Sequence, residues 1–261
     1  MSDLFEAGGL EDDAPRPLAD RLRPKSLAEV VGQDHLIGPE GPIGRMVAQG
    51  RAHSIILWGP PGTGKTTIAR LLSTQFKLHF EQLSAVFSGV ADLKKTFEAA
   101  RQRRRIGQGT LLFIDEIHRF NRSQQDSFLP VVEDGTVVLV GATTENPSFE
   151  LNGALLSRTQ VLVLRRLDDA ALETLLQRVE AHYGEPLKLT EDARQTLRAM
   201  ADGDGRYLLN LAEELASLKI VKPLDNAGLT AAVQRRMPLY DKSREEHYNI
   251  ISALHKSIRG S

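Results

Sequence analysis

The sequence has no cysteine and no long apolar segment. Without cysteine the chain can form neither disulfide bonds nor cysteine-ligated metal sites. Its apolar runs all fall well short of the roughly 18 residues that a membrane-spanning helix needs. Residues 1–20 are acidic and lack the apolar centre of a secretion signal. We therefore expect a cytoplasmic protein that does not enter a membrane.

Aromatic side chains and net charge are also scarce. Phe, Trp and Tyr together make up 5% of the residues, and the formal net charge at pH 7 is −1. This composition shows no overall preference for nucleic acid, because phosphate binding depends on local patches rather than on the sum of charges. The chain does have 41% apolar and 26% charged residues over 261 positions, which is enough for a packed core and for two compact units.

A glycine-rich run between a predicted strand and a predicted helix is the strongest signal. Residues 59–66 read GPPGTGKT, directly after the apolar residues 54–58 and directly before a helical pattern. Strand, glycine-rich turn and helix N-terminus together form a phosphate-binding loop, whose backbone N–H groups and helix dipole attract phosphate. Lys65 is predicted to reach the β- and γ-phosphates, and the Thr66 hydroxyl to bind Mg²⁺. The predicted nucleotide-binding residues of this loop are Gly59, Pro60, Pro61, Gly62, Thr63, Gly64, Lys65, Thr66 and Thr67.

Two carboxylates follow the third predicted strand. That strand, Thr110–Asp115, is apolar up to Asp115, and Glu116 comes next. Ligands bind at the carboxyl ends of parallel strands, so Asp115 is predicted to hold Mg²⁺. Glu116 is predicted to act as general base towards an attacking water. The adjacent glutamate indicates that the bound nucleoside triphosphate is hydrolysed.

The fourth predicted strand, Thr136–Gly141, leads into two threonines. We expect this strand to lie beside the strand of Asp115, which would place a hydroxyl near the γ-phosphate. Thr144 is the predicted residue, and Thr143 is the neighbour that could replace it.

Strand-like runs alternate with helical stretches up to Leu167, and only helices are predicted after it. This order predicts an α/β domain with a five-stranded parallel sheet, followed by a small all-α domain. Asp168 and Thr190 are predicted N-caps. The predicted strands are Ser54–Trp58, Leu78–Leu83, Thr110–Asp115, Thr136–Gly141 and Gln160–Leu164. The predicted helices are Thr66–Gln75, Val90–Arg105, Ser123–Glu133, Asp168–His182, Thr190–Met200, Arg206–Lys219 and Asn226–Arg235.

Two longer strings carry a family resemblance. Residues 113–126 read FIDEIHRFNRSQQD, and residues 141–152 read GATTENPSFELN. With the phosphate-binding loop and Leu156-Ser157-Arg158, they resemble AAA+ ATPases of the clamp-loader branch. More narrowly, they resemble the replication-associated recombination ATPases, called RarA or MgsA, and the eukaryotic Werner-helicase-interacting ATPase. The resemblance extends from Pro17 onward.

The resemblance implies roles for residues outside these motifs. Arg158 matches the arginine finger that enters a neighbouring subunit's ATP site, and Arg206 matches the second sensor of the lid domain. Val31 and Gly32 match residues that contact adenine, which implies ATP rather than GTP. Family members continue past the position of Ser261 into a tetramer-forming region. The resemblance therefore implies a fragment that is monomeric or weakly associated.

The resemblance also divides the chain into segments. It implies a P-loop AAA+ domain over 18–165, whereas the acidic composition of residues 1–17, with few large apolar side chains, predicts a flexible tail. A helical lid domain is expected over 166–238, and the start of a C-terminal oligomerisation region over 239–261.

Expected partners follow from the same resemblance. They are DNA at forks, gaps and junctions between single and double strands, single-stranded-DNA-binding protein and replisome components, near the nucleoid. Arg119 and Arg122 are the predicted DNA contacts, because basic clusters beside the hydrolytic site can bind phosphate. The basic run over residues 101–105 is equally well explained as a solvated helix face. His118, beside the acidic pair, is expected to pack or to form hydrogen bonds rather than to bind a metal.

Three functions fit these observations. The leading one is a DNA-stimulated ATPase that remodels DNA at stalled forks, gaps or recombination intermediates. A clamp-loader subunit or a branch-migration motor would share the fold and the ATP residues. A scaffold that binds DNA when ATP is bound and hardly turns over belongs to a different class, against which Lys65, Glu116 and Arg158 argue.

Overall fold

A five-stranded parallel sheet forms the centre of the computed structural model, which describes residues 16–218 and 220–234. The strands are β1 (Ile55–Trp58), β2 (His79–Ser84), β3 (Thr110–Asp115), β4 (Val137–Thr143) and β5 (Gln160–Val163). Their order across the sheet is β2-β3-β4-β1-β5, and every pair is parallel. The structure therefore confirms the predicted sheet and the expected pairing of β4 with β3.

Residues that alternate along the central strands pack on opposite faces of the sheet. Ile56 and Leu112 belong to the cluster beneath α5, whereas Ile55, Leu57 and Phe113 belong to the cluster around α4. This alternation follows from the two-residue period of a strand. Because helices cover both faces, the middle of each central strand is a continuous apolar run.

The helices surround the sheet and then continue without it. Those before β4 are α1 (Leu18–Arg21), α2 (Asp34–Ile37), α3 (Pro42–Ala48), α4 (Lys65–Gln75), α5 (Val90–Arg105), α6 (Arg122–Asp126) and α7 (Leu129–Glu133). Those after β4 are α8 (Pro147–Glu150), α9 (Gly153–Leu156), α10 (Asp169–Tyr183), α11 (Glu191–Ala201), α12 (Gly205–Ser217) and α13 (Asn226–Gln234). Short 3₁₀ segments occur at Leu27–Glu29 and Ile117–Arg119. No helix among the described residues is both long and apolar enough to cross a membrane.

One predicted helix is interrupted. The predicted stretch Ser123–Glu133 forms α6 and α7, which are separated by Ser127 and Phe128. Pro130 lies in the first turn of α7. Proline has no N–H to donate to the carbonyl four residues earlier, and its ring clashes there, so it starts a helix but cannot continue one.

A separate helical core lies after the sheet, and α1, the first helix of the described residues, joins it. Leu18 of α1 is fully buried in the cluster formed by α10, α11, α12 and α13. The Leu18 amide donates to Glu213 Oε2 at 2.9 Å, and Arg21 pairs with the same carboxylate at 2.9 Å. Helix α1 is thus attached to α12.

The predicted N-caps are confirmed. Asp168 accepts a hydrogen bond from the Ala171 amide at 2.8 Å, and Thr190 accepts one from the Ala193 amide at 3.3 Å. The predicted tail up to residue 15 and the predicted C-terminal segment over 239–261 lie outside the described residues, as does Arg235.

Candidate active site

The loop between β1 and α4 has the backbone that phosphate binding requires. Gly62 and Gly64 adopt left-handed conformations, with φ of 67° and 98°. Glycine adopts these angles without the steric cost of a Cβ. The Thr63 hydroxyl closes the turn by donating to the Pro60 carbonyl at 2.9 Å. The loop therefore delivers the N-terminus of α4, with its unpaired N–H groups, to the carboxyl edge of the sheet.

Lys65 is buried at the start of α4. Its Nζ donates to the Gly59 carbonyl at 2.6 Å and to the Pro60 carbonyl at 2.7 Å. Burial lowers the pKa of this ammonium, and the nearby carboxylates of Glu116 and Asp115 oppose that shift. A buried cation next to open space is well placed to meet the negative charge of a phosphate.

The acidic pair lies at the carboxyl end of β3. Asp115 ends the strand, and Glu116 takes a left-handed conformation with φ of 53°. Such a φ is uncommon for a residue with a Cβ. It turns the chain sharply between the strand and the following 3₁₀ segment, so that both carboxylates line the same cavity.

The two threonines after β4 differ in their partners. The Thr144 hydroxyl donates to Glu116 Oε2 at 3.4 Å, and Thr144 lines the cavity. Thr143 is fully buried, and its Oγ1 lies 2.9 Å from His118 Nδ1. His118 forms a hydrogen bond, as expected. Thr144 is thus the threonine that faces the cavity, and Thr143 is part of the packing behind it.

These groups surround a cavity of about 460 Å³ between the sheet edge and the helical core. Its volume lies within the usual range for a small-molecule site. The predicted site residues that line it are Val31, Pro61, Gly62, Thr63, Gly64, Lys65, Thr66, Thr67, Asp115, Glu116, Thr144 and Arg206. Three other predicted residues, Gly59, Pro60 and Gly32, support the wall from behind. The carbonyls of Gly59 and Pro60 bind Lys65, and Gly32 packs against Leu167.

The donors at the cavity fit both predicted ligands. Thr66 supplies a hydroxyl and Asp115 a carboxylate to the same space, and Mg²⁺ prefers oxygen donors of this kind. The described residues contain no cluster of three or more His, Cys, Asp or Glu side chains able to hold a metal. Mg²⁺ in phosphate-transfer sites commonly uses one or two protein ligands and takes the rest from phosphates and water.

The helical region meets the phosphate-binding loop directly. The Gly205 amide donates to the Gly62 carbonyl at 3.2 Å. A Cβ added to Gly62 would lie 1.7 Å from Asp204 Oδ1, so only glycine allows this approach. Asp204 caps α12 by accepting from the Tyr207 amide at 2.9 Å. The contact brings Arg206, in the first turn of α12, to the cavity wall.

Several lining residues were not predicted. Arg23 donates from Nη1 to Thr67 Oγ1 at 3.2 Å and from Nη2 to Asp20 Oδ1 at 2.7 Å. Arg178 of α10 donates to the Glu29 carbonyl at 2.7 Å. The sequence offers no spacing that would place these residues at the cavity, because Arg23 precedes Thr67 by 44 residues and Arg178 follows Glu29 by 149.

Arg158 lies away from this cavity, after α9. It forms an ion pair with Glu133 at the end of α7, and its Nη1 donates to the Ala154 carbonyl at 2.8 Å. Its side chain is 36% exposed. The geometry does not bring Arg158 to the phosphate-binding loop of its own chain.

The basic residues near the acidic pair are on the surface. Arg119 and Arg122 lie at the end of the 3₁₀ segment and at the start of α6, and both are solvent-accessible. In the other basic run, Arg103 pairs with Glu81 at 2.8 Å and Arg104 with Asp134 at 3.5 Å. These pairs account for part of that run within the chain itself.

The sequence matches two family models. The model for the ATPase family associated with various cellular activities, abbreviated AAA, matches residues 55–167, and the model for the AAA C-terminal domain matches residues 181–259. The first range holds the phosphate-binding loop, the acidic pair and both threonines. The chain therefore belongs to the AAA family of ATPases.

Within that family the chain is similar to the replication-associated recombination proteins. Replication-associated recombination protein A of Escherichia coli K12 is 43% identical, with 96% of this chain and 58% of the relative covered. The same protein of Coxiella burnetii is 45% identical, over 94% of this chain and 57% of the relative. ATPase WRNIP1 of Dictyostelium discoideum is 39% identical, with 94% of this chain and 31% of the relative covered. These relatives confirm the resemblance, and the chain spans less than two thirds of their length.

Solved structures of RuvB from Thermotoga maritima share the fold. One of them, a point mutant, superposes with a TM-score of 0.69 at 24% identity, covering 92% of this chain and 82% of the other. Another, described as a Holliday junction branch migration motor, has a TM-score of 0.66 at 24% identity, covering 82% and 72%. At this identity the likeness shows the fold alone.

Proposed function

We propose that this chain hydrolyses ATP as part of a DNA-remodelling ATPase that acts at stalled replication forks, gaps or recombination intermediates. One observation carries the enzymatic part. The Glu116 carboxylate, which accepts a hydrogen bond from the Thr144 hydroxyl, lines the same cavity as Lys65, Thr66 and Asp115. A general base, a phosphate-binding cation and two Mg²⁺ ligands thus share one space.

The chemistry assigns one task to each group. An oxygen of water attacks the γ-phosphorus, the bond to the β–γ bridging oxygen breaks, and the Glu116 carboxylate takes the proton of the water. Lys65 neutralises the phosphate oxygens, and Thr144 holds the carboxylate. Thr66 and Asp115 would hold Mg²⁺, which supplies further positive charge against the phosphates. Arg206 approaches from the helical region and closes the cavity over the triphosphate.

Arg158 is proposed to act on a neighbouring subunit. Its place on the surface, outside its own cavity, supports that role, because a guanidinium must approach the γ-phosphate to stabilise it. A second copy of the chain would then complete each site, and the proposed full assembly is a tetramer. We further propose a cytoplasmic location near the nucleoid, with DNA, single-stranded-DNA-binding protein and replisome components as partners. The relatives' names refer to replication and recombination, which supports a role on DNA.

Subunit mixing tests the proposal. Steady-state ATP hydrolysis is measured with and without forked or gapped DNA for the wild type, Glu116→Gln and Arg158→Ala. We expect DNA to stimulate the wild type, and the loss of the general base to lower kcat by about 10²–10⁴-fold. The loss of the arginine finger should lower it by about 10³-fold or more. An equal mixture of the two variants should regain roughly a quarter of wild-type activity, since random assembly pairs an intact Glu116 with an intact Arg158 at that fraction of interfaces.

Other outcomes select the alternatives. If the wild type bound DNA only with ATP and did not turn over, the protein would be a nucleotide-gated scaffold. If mixing restored nothing while each variant bound ATP normally and light scattering showed that the subunits assemble, Arg158 would not act between subunits. Arg119→Ala with Arg122→Ala tests the proposed DNA contacts, and should lower the salt dependence of DNA binding without changing the activity that is measured without DNA.

A further inference from the structure

His118 lies between the proposed general base and the end of β4. Its Nδ1 is 3.4 Å from Glu116 Oε2 and 2.9 Å from Thr143 Oγ1. The imidazole is almost fully buried, with 7% of its side chain exposed. A buried imidazole between a carboxylate and a buried hydroxyl requires a defined proton arrangement, because each polar atom there must find a partner.

The surroundings of Thr143 indicate where the imidazole proton lies. Thr143 Oγ1 accepts from the Glu145 amide at 3.0 Å, and its hydroxyl can donate to the Glu145 carbonyl at 3.2 Å. With a proton on Nδ1, the imidazole N–H faces two oxygens, Thr143 Oγ1 at 2.9 Å and Glu116 Oε2 at 3.4 Å. Without that proton, the Nδ1 lone pair would face the Glu116 carboxylate. The Nδ1–H form is therefore the one that the geometry favours.

The Glu116 carboxylate is held in place by contacts from neighbouring side chains. Glu116 has a φ of 53°, which persists only where surrounding contacts hold it. Thr144 donates to Oε2 from one side at 3.4 Å, and His118 approaches the same oxygen at 3.4 Å. Both contacts originate at the end of β4, one directly and one through Thr143.

We propose that His118 is a positioning residue for ATP hydrolysis. Its Nδ1–H donates to Thr143 Oγ1 and lies 3.4 Å from Glu116 Oε2, so the imidazole fixes the direction of the carboxylate and leaves Oε1 to take the proton of the attacking water. The inference rests on the proposed ATPase function, and it adds a residue that acts through Glu116 without touching the nucleotide.

Turnover of two His118 variants provides the first test. His118→Leu removes the hydrogen bond, whereas His118→Asn can place an amide N–H close to the position of Nδ1. We expect His118→Leu to lower kcat by about tenfold or more, with KM for ATP within about twofold of wild type. His118→Asn should recover kcat to within about threefold of wild type. His79→Leu, at a more exposed histidine of β2, is the matched control and should behave as wild type.

A double variant separates positioning from packing. If His118 acts through the Glu116 carboxylate, then His118→Leu should change the residual kcat of Glu116→Gln by less than about twofold. A merely structural role predicts that the two losses multiply, and that His118→Asn loses as much activity and melts as early as His118→Leu. Either result would overturn the inference, as would wild-type kcat in His118→Leu.

Nitrogen-15 spectra of the imidazole test the geometry without turnover. In spectra recorded at about pH 8, the resonances of His118, assigned by their loss in His118→Asn, should show a protonated Nδ1 and an unprotonated Nε2. A proton on Nε2 alone would contradict the proposed hydrogen bond. A wild type that binds ATP but never hydrolyses it would refute the proposed function instead, so the two failures are distinguishable.

Discussion

The sheet edge and the helical region use charged side chains in opposite ways. At the sheet edge, Asp115 and Glu116 place two carboxylates side by side, and Lys65 carries a pKa that burial lowers. In the helical region, Arg194 binds Glu173 at 2.7 Å and Glu180 at 2.6 Å, and Arg198 binds Glu173 as well. At the sheet edge, charges are kept available for a ligand, which costs stability. In the helical region, opposite charges pair with each other, and the pairs stabilise the fold.

The largest expected effect is the loss of the buried lysine at the sheet edge. Lys65→Met should weaken ATP binding by about a hundredfold, because it removes the cation that is proposed to bind the phosphates. The free energy of unfolding should stay the same or rise, since burial disfavours the charged form. Nucleotide titration and urea denaturation measure the two effects, with Lys94→Met on the exposed face of α5 as the control. A large loss of stability with intact ATP affinity would contradict the comparison.

Removing one carboxylate of the helical region should have the opposite result: lower stability with unchanged ATP affinity. Glu173→Gln should lower the free energy of unfolding by about 1.5–3 kcal/mol, the range for hydrogen bonds to charged groups. ATP affinity should remain at the wild-type value, because Glu173 does not line the cavity. Glu185→Gln, at an exposed ion pair of 3.8 Å with Lys188, should cost no more than about 0.5 kcal/mol.

The ion pair between Arg194 and Glu173 also predicts how the stability of the fold depends on pH. The hydrogen bond from Arg194 holds the pKa of the Glu173 carboxyl below its ordinary value of 4.5. A lowered pKa in the folded state means that the carboxylate stabilises the fold fully above pH 4.5. This contribution is lost as the pH falls through the folded-state value. The difference in unfolding free energy between wild type and Glu173→Gln should therefore be constant near neutrality and shrink as the pH falls below 4.5. A difference that grew in acid would have the wrong sign.

The smallest expected effect is at the Thr144 hydroxyl, which donates to Glu116, the proposed general base. Thr144→Val should lower kcat by about three- to tenfold and leave ATP affinity unchanged, because one of the two contacts to Glu116 Oε2 is removed. Thr174→Val, whose hydroxyl bonds the Ala170 carbonyl on the surface of α10, is a matched control. Equal effects of the two variants would show that the hydroxyl of Thr144 has no special task.

Local signals in the sequence predicted most of the sheet. The bounds predicted for β3 and α5 match the structure, because each is marked by its own residues: an apolar run that ends in carboxylates, and a helical pattern that begins after Gly89. The helix predicted over Ser123–Glu133 is the clearest difference. Its periodicity continues through Pro130, and the missing N–H of proline decides the break.

These local signals could not predict contacts between residues that lie far apart in the chain. Leu18 was expected in the first domain, yet it is buried against α12, and its amide bonds a residue 195 positions later. Asp204 touches the phosphate-binding loop at Gly62, and Arg23 bonds to Thr67. No spacing in the sequence encodes such contacts, because they depend on how the helical region packs against the sheet.

The sequence by itself determined the chemistry and the order of the elements. Glycines, a lysine, a threonine and two carboxylates follow specific strands, and the topology of a parallel sheet brings strand ends to one edge. Only the tertiary structure decided which threonine reaches Glu116, that His118 lies between Glu116 and Thr143, and that Arg158 points away from its own cavity. Neighbouring residues on a chain differ in these respects because side-chain direction and long-range packing, rather than sequence spacing, set the distance between two atoms.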